Sequence, residues 1–249
     1  MASRTRRLSC IVLRRTKLAE QDLILTMLAA SGEEVRAVAK GARRPGGRLA
    51  SRSELFSEVD LLLAKGRGAL EVVSEATLVN AHAKIRGDFA RVSAASVVAE
   101  LACLTCLQNS EDSFLYPICS KVLACLERAC DQRQLDLIVA AYVMKVLAHC
   151  GWRPELTQCI SCGDVEVSYL SAQMGGTLCS SCAKDVPGAR RLERSELVWL
   201  RALITSTFDE LLAAGPDLKT SSALVLLAHV WATTQLDCRL RAYEFMLSS

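Results

Sequence analysis

Two cysteine pairs, Cys159/Cys162 and Cys179/Cys182, are separated by sixteen residues in the stretch GWRPELTQCISCGDVEVSYLSAQMGGTLCSSC. Thiolates are soft ligands, and four of them held about 2.3 Å from one ion make a closed tetrahedral Zn²⁺ site. A two-residue gap inside a tight turn lets both sulfurs of a pair reach the same ion. The spacing predicts a zinc ribbon over about residues 155–186, binding one structural Zn²⁺. Gly163, Gly175 and Gly176 stand where turns are needed. The alternation in VEVSYL predicts a short strand returning toward the second turn. Four packed or redox-active cysteines are the alternative, but a thioredoxin-like CxxC belongs in a βαβ context that this stretch lacks. Catalytic zinc needs an open position, which a four-thiolate set closes.

A second group of residues suits phosphate. Residues 40–52 hold Lys40, Arg43, Arg44, Arg48 and Arg52, interleaved with Gly41, Gly46 and Gly47. Glycines let backbone N–H groups approach phosphate oxygens, and a guanidinium can grip them through two parallel hydrogen bonds. Arg14, Arg15, Lys17 and Arg36 extend the set of candidate DNA ligands. Over residues 1–52 twelve Lys or Arg stand against four Asp or Glu, a balance of +8 that leaves −5 for the rest of the chain. Such polarity points to a polyanion met by one end of the protein, with a merely solvated face as the competing reading. Phe56 is the only aromatic residue before Phe89, so there is no platform for stacking bases. The expectation is binding through the backbone to single- and double-stranded DNA, without sequence preference and with steep salt dependence.

Enzymatic chemistry finds little support. No GxxxxGK[ST] phosphate loop is present. His82, His149 and His229 are scattered on helical or linker segments and read as packed or surface residues. Twelve cysteines in a reducing compartment imply metal binding or packing, not disulfides. Cys103, Cys106, Cys119, Cys125, Cys130 and Cys150 fall in helical, mostly apolar surroundings, and Cys103-x-x-Cys106 has no partner pair. The longest apolar run, Leu137 to Ala148, is broken by Lys145 and falls short of the ~18 residues a membrane span needs. The start, MASRTRRLSC, shows no signal-peptide pattern, so a cytoplasmic protein without a membrane partner is expected.

These residues need elements to hold them. Period-two patterns predict strands at Ser9–Leu13, Asp22–Leu28, Glu34–Ala39, Glu58–Leu63 and Leu70–Ala76, the last two joined by a hairpin at Gly66-Arg67-Gly68. Five strands in about 75 residues suit a small barrel of the OB type, and an SH3-like barrel is the alternative. From Asp88 the period becomes helical. A stripe of Phe89, Val92, Ser96, Ala99 and Cys103, with Val97, Leu101, Leu104 and Cys106 near it, marks the first helix. Helices follow at Leu115–Cys130, Leu135–Cys150, Ser195–Ala214 and Thr220–Phe245. The third is apolar nearly all round and should be central, and Gly151 and Pro154 end it. The fold class is therefore α+β: an OB-type domain over residues 1–79 and a helical domain over 80–249 interrupted by the ribbon.

The chain resembles the RecO family of bacterial recombination mediators over nearly its whole length. The resemblance is carried by IVLRRTKLAEQDLILTML, VRAVAKGARR, GRGALEVVSEATL, and GWRPELTQCISCG with GGTLCSSC. It implies ATP-independent annealing of complementary strands, partnership with RecR, contact with single-strand-binding protein, and help in loading RecA on coated DNA at the nucleoid. Ala19 replaces the glycine usual before the acidic Glu20 and Asp22, and Ala242 stands after Arg239 and Arg241 where the family often has serine. Two other classes stay open: a zinc-dependent or thiol redox enzyme, and a scaffold whose basic face meets an acidic protein.

Overall fold

A computed structural model describes residues 5–66, 68–108 and 110–248, which fall into two compact units divided between Glu127 and Arg128. The hairpin turn expected at Gly66-Arg67-Gly68 includes Arg67, which lies outside the described residues.

In the first unit the strands are β1 (Thr5–Lys17), β2 (Leu23–Ala29), β3 (Glu34–Ala39), β4 (Glu58–Ala64) and β5 (Glu71–Asn80). They hydrogen-bond in the order β1-β2-β3-β5-β4, and β4 pairs back to β1, so the sheet closes on itself as a barrel. Alternation puts Cys10, Val12, Leu25, Met27, Val35, Ala37, Val59, Leu61 and Leu63 inside. β1 is longer than its apolar pattern because Thr5–Arg7 pair with β4 while their side chains face water. Its register shifts between Val12 and Arg14, a bulge that breaks the alternation just before the two arginines. The seam between β3 and β5 is parallel and short: Ala37 pairs with Glu71 and Val38 with Val72.

Three helices complete this unit: α1 (Ala83–Arg86), α2 (Phe89–Thr105) and α3 (Leu115–Arg128). The Asp88 carboxylate caps α2 by accepting from Arg91 N at 2.9 Å. Of the stripe expected on α2 only Ala99 is buried, and Phe89 is 64% exposed. Of the residues expected near that stripe Val97, Leu101 and Cys106 are buried, and the helix also buries Ser93, Ala94, Ala95, Val98 and Ala102. Its sequence is apolar on several sides, so periodicity could not choose the face; packing on β1 and β2 does.

The second unit is built on α4 (Gln132–His149), which packs against α5 (Arg194–Thr205), α6 (Phe208–Ala214) and α7 (Leu218–Leu236). Residues Leu135 to Met144 of α4 are buried without interruption, as an all-round apolar helix requires. It ends where expected: Trp152 N donates to Leu147 O at 2.8 Å and Gly151 N to Ala148 O at 3.4 Å, the paired bonds of a Schellman cap. Two long helices expected near the C-terminus are each broken. At Thr207 a capping box, with Glu210 N donating to Thr207 Oγ1 at 3.2 Å and Thr207 N to Glu210 Oε2 at 2.7 Å, starts α6 afresh. Asp237, left-handed at φ 46°, ends α7 before α8 (Arg241–Ser248). Between α4 and α5 a three-stranded sheet pairs β6 (Tyr169–Ser171) with β7 (Gly176–Leu178) and β8 (Arg190–Arg191). Among the described residues no helix is long and apolar enough to cross a membrane.

Candidate metal centre and nucleic-acid interface

The cysteine segment leaves the cap of α4 and is tied down at once. Trp231 Nε1 on α7 donates to Trp152 O at 3.0 Å, and the Arg201 guanidinium on α5 donates to Leu156 O. Cys159 and Cys162 then form the first turn, closed by Gly163 N donating to Cys159 O at 2.8 Å, with Gly163 at φ 79°. The strand expected over VEVSYL reaches only its last two residues and extends to Ser171; Val165–Val167 pair with neither neighbouring strand, and Ser168 leads into the sheet by donating to Leu178 O at 3.1 Å and accepting from Leu192 N at 2.8 Å. β7 brings the second pair back. A Cβ at Gly176 would stand 2.6 Å from Glu155 O, so that glycine serves close approach of two backbones.

All four sulfurs lie within 4.8 Å of one another. Sulfurs bound tetrahedrally at about 2.3 Å from one ion are about 3.8 Å apart, and Cys162 Sγ is 3.8 Å from Cys179 Sγ. The donor set is all thiol, so this geometry is compatible with one zinc ion. Cys159 and Cys179 are buried against Leu178, with Val167, Tyr169, Ala183 and Val186 around them, while Cys162 faces solvent. Backbone donors, Cys179 N–H first, hold the Cys159 thiol down at about 6, whereas hydrogen bonding with Cys179 and Cys162 pushes Cys182 up to about 12. The other CxxC differs: burial pushes Cys103 up to about 11 and Cys106 to about 12, which keeps them inert thiols. Among the described residues, these four cysteines form the one group of three or more side chains placed so that their ligand atoms could hold a single ion.

The candidate DNA ligands separate into three sets, with Lys17 apart from them. Lys40, Arg44, Arg48 and Arg52 line one groove with Val73–Thr77 of β5, and Glu75 is the acidic residue among its walls. Arg14 and Arg36 both pair with Thr26, one from each side, and so share a row across β1, β2 and β3 outside that groove. Arg15 and Arg43 are committed elsewhere. Arg15 forms an ion pair with Glu54 at 2.6 Å. The Arg43 guanidinium donates to Glu20 O at 2.7 Å and Ala19 O at 3.2 Å. Lys17 ends β1, exposed.

Sequence reasoning passed over one polar cluster in the first unit. His82 has no exposed side-chain surface, and its two ring nitrogens each lie 2.9 Å from a carboxylate, Glu58 on β4 and Glu127 on α3. Ser120 Oγ also donates to Glu58 at 2.9 Å. Two ionised carboxylates can both be satisfied only when both ring nitrogens donate, so the pair favours the protonated imidazole. Nothing local in the sequence signals it, since the three residues are far apart in the chain.

Comparison with known proteins finds two family models along the chain, which meet between residues 82 and 86 and not at the boundary between the two units. A family model described as recombination protein O N terminal matches residues 1–82, and one described as recombination protein O C terminal matches residues 86–227. A protein named DNA repair protein RecO from Bifidobacterium longum subsp. infantis is 38% identical over 206 residues, covering 82% of this chain and 84% of the relative. The protein of that name from Bifidobacterium animalis subsp. lactis is 32% identical over 95% of this chain and 96% of its own length. That from Nocardioides sp. is 34% identical over 89% and 91%. With both family models spanning most of its length, the chain belongs to the RecO family.

Proposed function

We propose that the protein is a mediator of DNA repair and recombination, without an active site of its own, that holds DNA by its backbone in the groove beside β5. One observation carries this reading: Lys40, Arg44, Arg48 and Arg52, scattered over thirteen residues, converge on a single groove. Cations on an open groove suit phosphates of either strand form, because phosphate contacts position nucleic acid without reading its sequence. Family membership and the names of the relatives support the role in repair. The barrel, residues 1–79, is read as OB type, with residues 80–249 as the helical part. The cysteines are read as a structural site: Zn²⁺ bound by Cys159, Cys162, Cys179 and Cys182 supplies folding energy. The family resemblance extends the proposal to annealing of complementary strands without ATP and, with RecR, to loading RecA on DNA coated by single-strand-binding protein, in the cytoplasm at the nucleoid.

The test is oligonucleotide binding by anisotropy together with annealing of coated complementary strands, with and without ATP. Arg44→Ala with Arg48→Ala should weaken binding about tenfold or more by removing two phosphate contacts. Unchanged affinity, or annealing that requires ATP, overturns the reading.

A further inference from the structure

The loop that carries the groove cations is a chain of turns closed on its own backbone. Ala42 N donates to Ala39 O, Arg44 N to Gly41 O, Gly47 N to Arg44 O and Ala50 N to Gly47 O. Such a loop, dense in like charges, needs ties from outside to keep one shape. Ala42 and Leu49 anchor it to the barrel core. Further ties, all hydrogen bonds, run to the turn between β1 and β2. Gly41 N donates to Asp22 Oδ1 at 2.8 Å. Arg43 N donates to Gln21 O at 3.0 Å, and its guanidinium reaches Glu20 O and Ala19 O. Arg44 Nε donates to Gln21 Oε1 at 3.0 Å. The turn is itself closed by Leu18 N donating to Asp22 O at 3.2 Å.

We propose that the β1–β2 turn is a clamp that positions the DNA-binding loop, with Asp22 and Gln21 as positioning residues and Arg43 as a strut toward the turn. This rests on the groove reading above. The clamp makes a prediction of unusual sign. Asp22 is a negative charge beside a cationic groove, so charge alone says that its removal tightens binding to a polyanion. Positioning says the reverse, because a loosened loop must be ordered when DNA binds.

Asp22→Ala loses both the charge and the acceptor for Gly41 N–H; Asp22→Asn loses the charge and keeps an acceptor. Affinity for a single-stranded oligonucleotide, measured on the full chain with thermal midpoints alongside, should fall about five- to tenfold for Asp22→Ala. Asp22→Asn should bind as tightly as the parent or tighter. Gln21→Ala, a surface change without loss of charge, should weaken binding about two- to threefold by freeing Arg44, and reads the clamp even where Asp22→Ala fails to fold. If Asp22→Ala and Asp22→Asn behave alike, or Gln21→Ala binds like the parent, the clamp is overturned while weakening by Arg44→Ala with Arg48→Ala still upholds the groove. If that double variant binds normally, the groove reading falls and the clamp with it.

Discussion

His82 shows how much one side chain can join. Burial works against its charge, but hydrogen bonds to Glu58 and Glu127 outweigh burial and raise its pKa above the ordinary histidine value. The hydrogen bond from His82, with help from Ser120, holds Glu58 below the usual carboxylate range. A raised histidine contributes stability that is complete below its unfolded value, about 6.5, and is lost as pH rises through the folded one. A depressed Glu58 contributes stability present above about 4.5 and lost as pH falls through its folded value. Both contributions are therefore complete between about pH 4.5 and 6.5. His82→Gln should cost about 1–3 kcal/mol in that window, because two partly buried carboxylates lose their shared cation. The gap in melting temperature between parent and variant should shrink as pH rises beyond it; a gap independent of pH would show that the imidazolium is not the cause.

At the scale of elements, the cysteine turns rest on ties to helices that surround them. Cys159→Ser should drop zinc content well below one ion per chain and lower the melting temperature, read by metal analysis and calorimetry; a variant with full zinc and an unshifted transition contradicts the structural site. The elements themselves were legible in uneven measure. All five strands and the end of α4 could be read because period-two patterns and the Gly151–Pro154 stop are local signals. The breaks after α5 and α7 were missed although Thr207-x-x-Glu210 is a capping-box pattern, since apolar spacing continues across it and masks the stop. The buried face of α2 was not decided by its sequence, because alanines make several faces equally apolar. Of the site residues, the four cysteines came together because two short spacings already fix a turn each. The cations divided because strand pairing and ion pairs such as Arg15 with Glu54 depend on contacts far apart in sequence.

For the molecule as a whole, the charge of residues 1–52 outweighs an otherwise acidic chain. If DNA makes about four phosphate contacts in the proposed groove, the logarithm of affinity should fall with the logarithm of salt at a slope of about −3 for single strands and nearer −4 for duplex. A slope near zero in an anisotropy titration across salt would remove the electrostatic basis of the interface. The closed barrel also has an unequal perimeter. β1 pairs along most of its length with β2 and β4, whereas β3 and β5 meet only at Ala37 with Glu71 and Val38 with Val72. Local opening follows the weakest ladder, so the barrel should breathe first along that seam. The seam borders the basic groove, since β3 leads into the cationic loop and β5 supplies the facing wall. A strand of DNA lying there would bridge the two lips and act as a staple, slowing amide exchange in β3 and β5 while leaving the β1–β2 ladder unchanged.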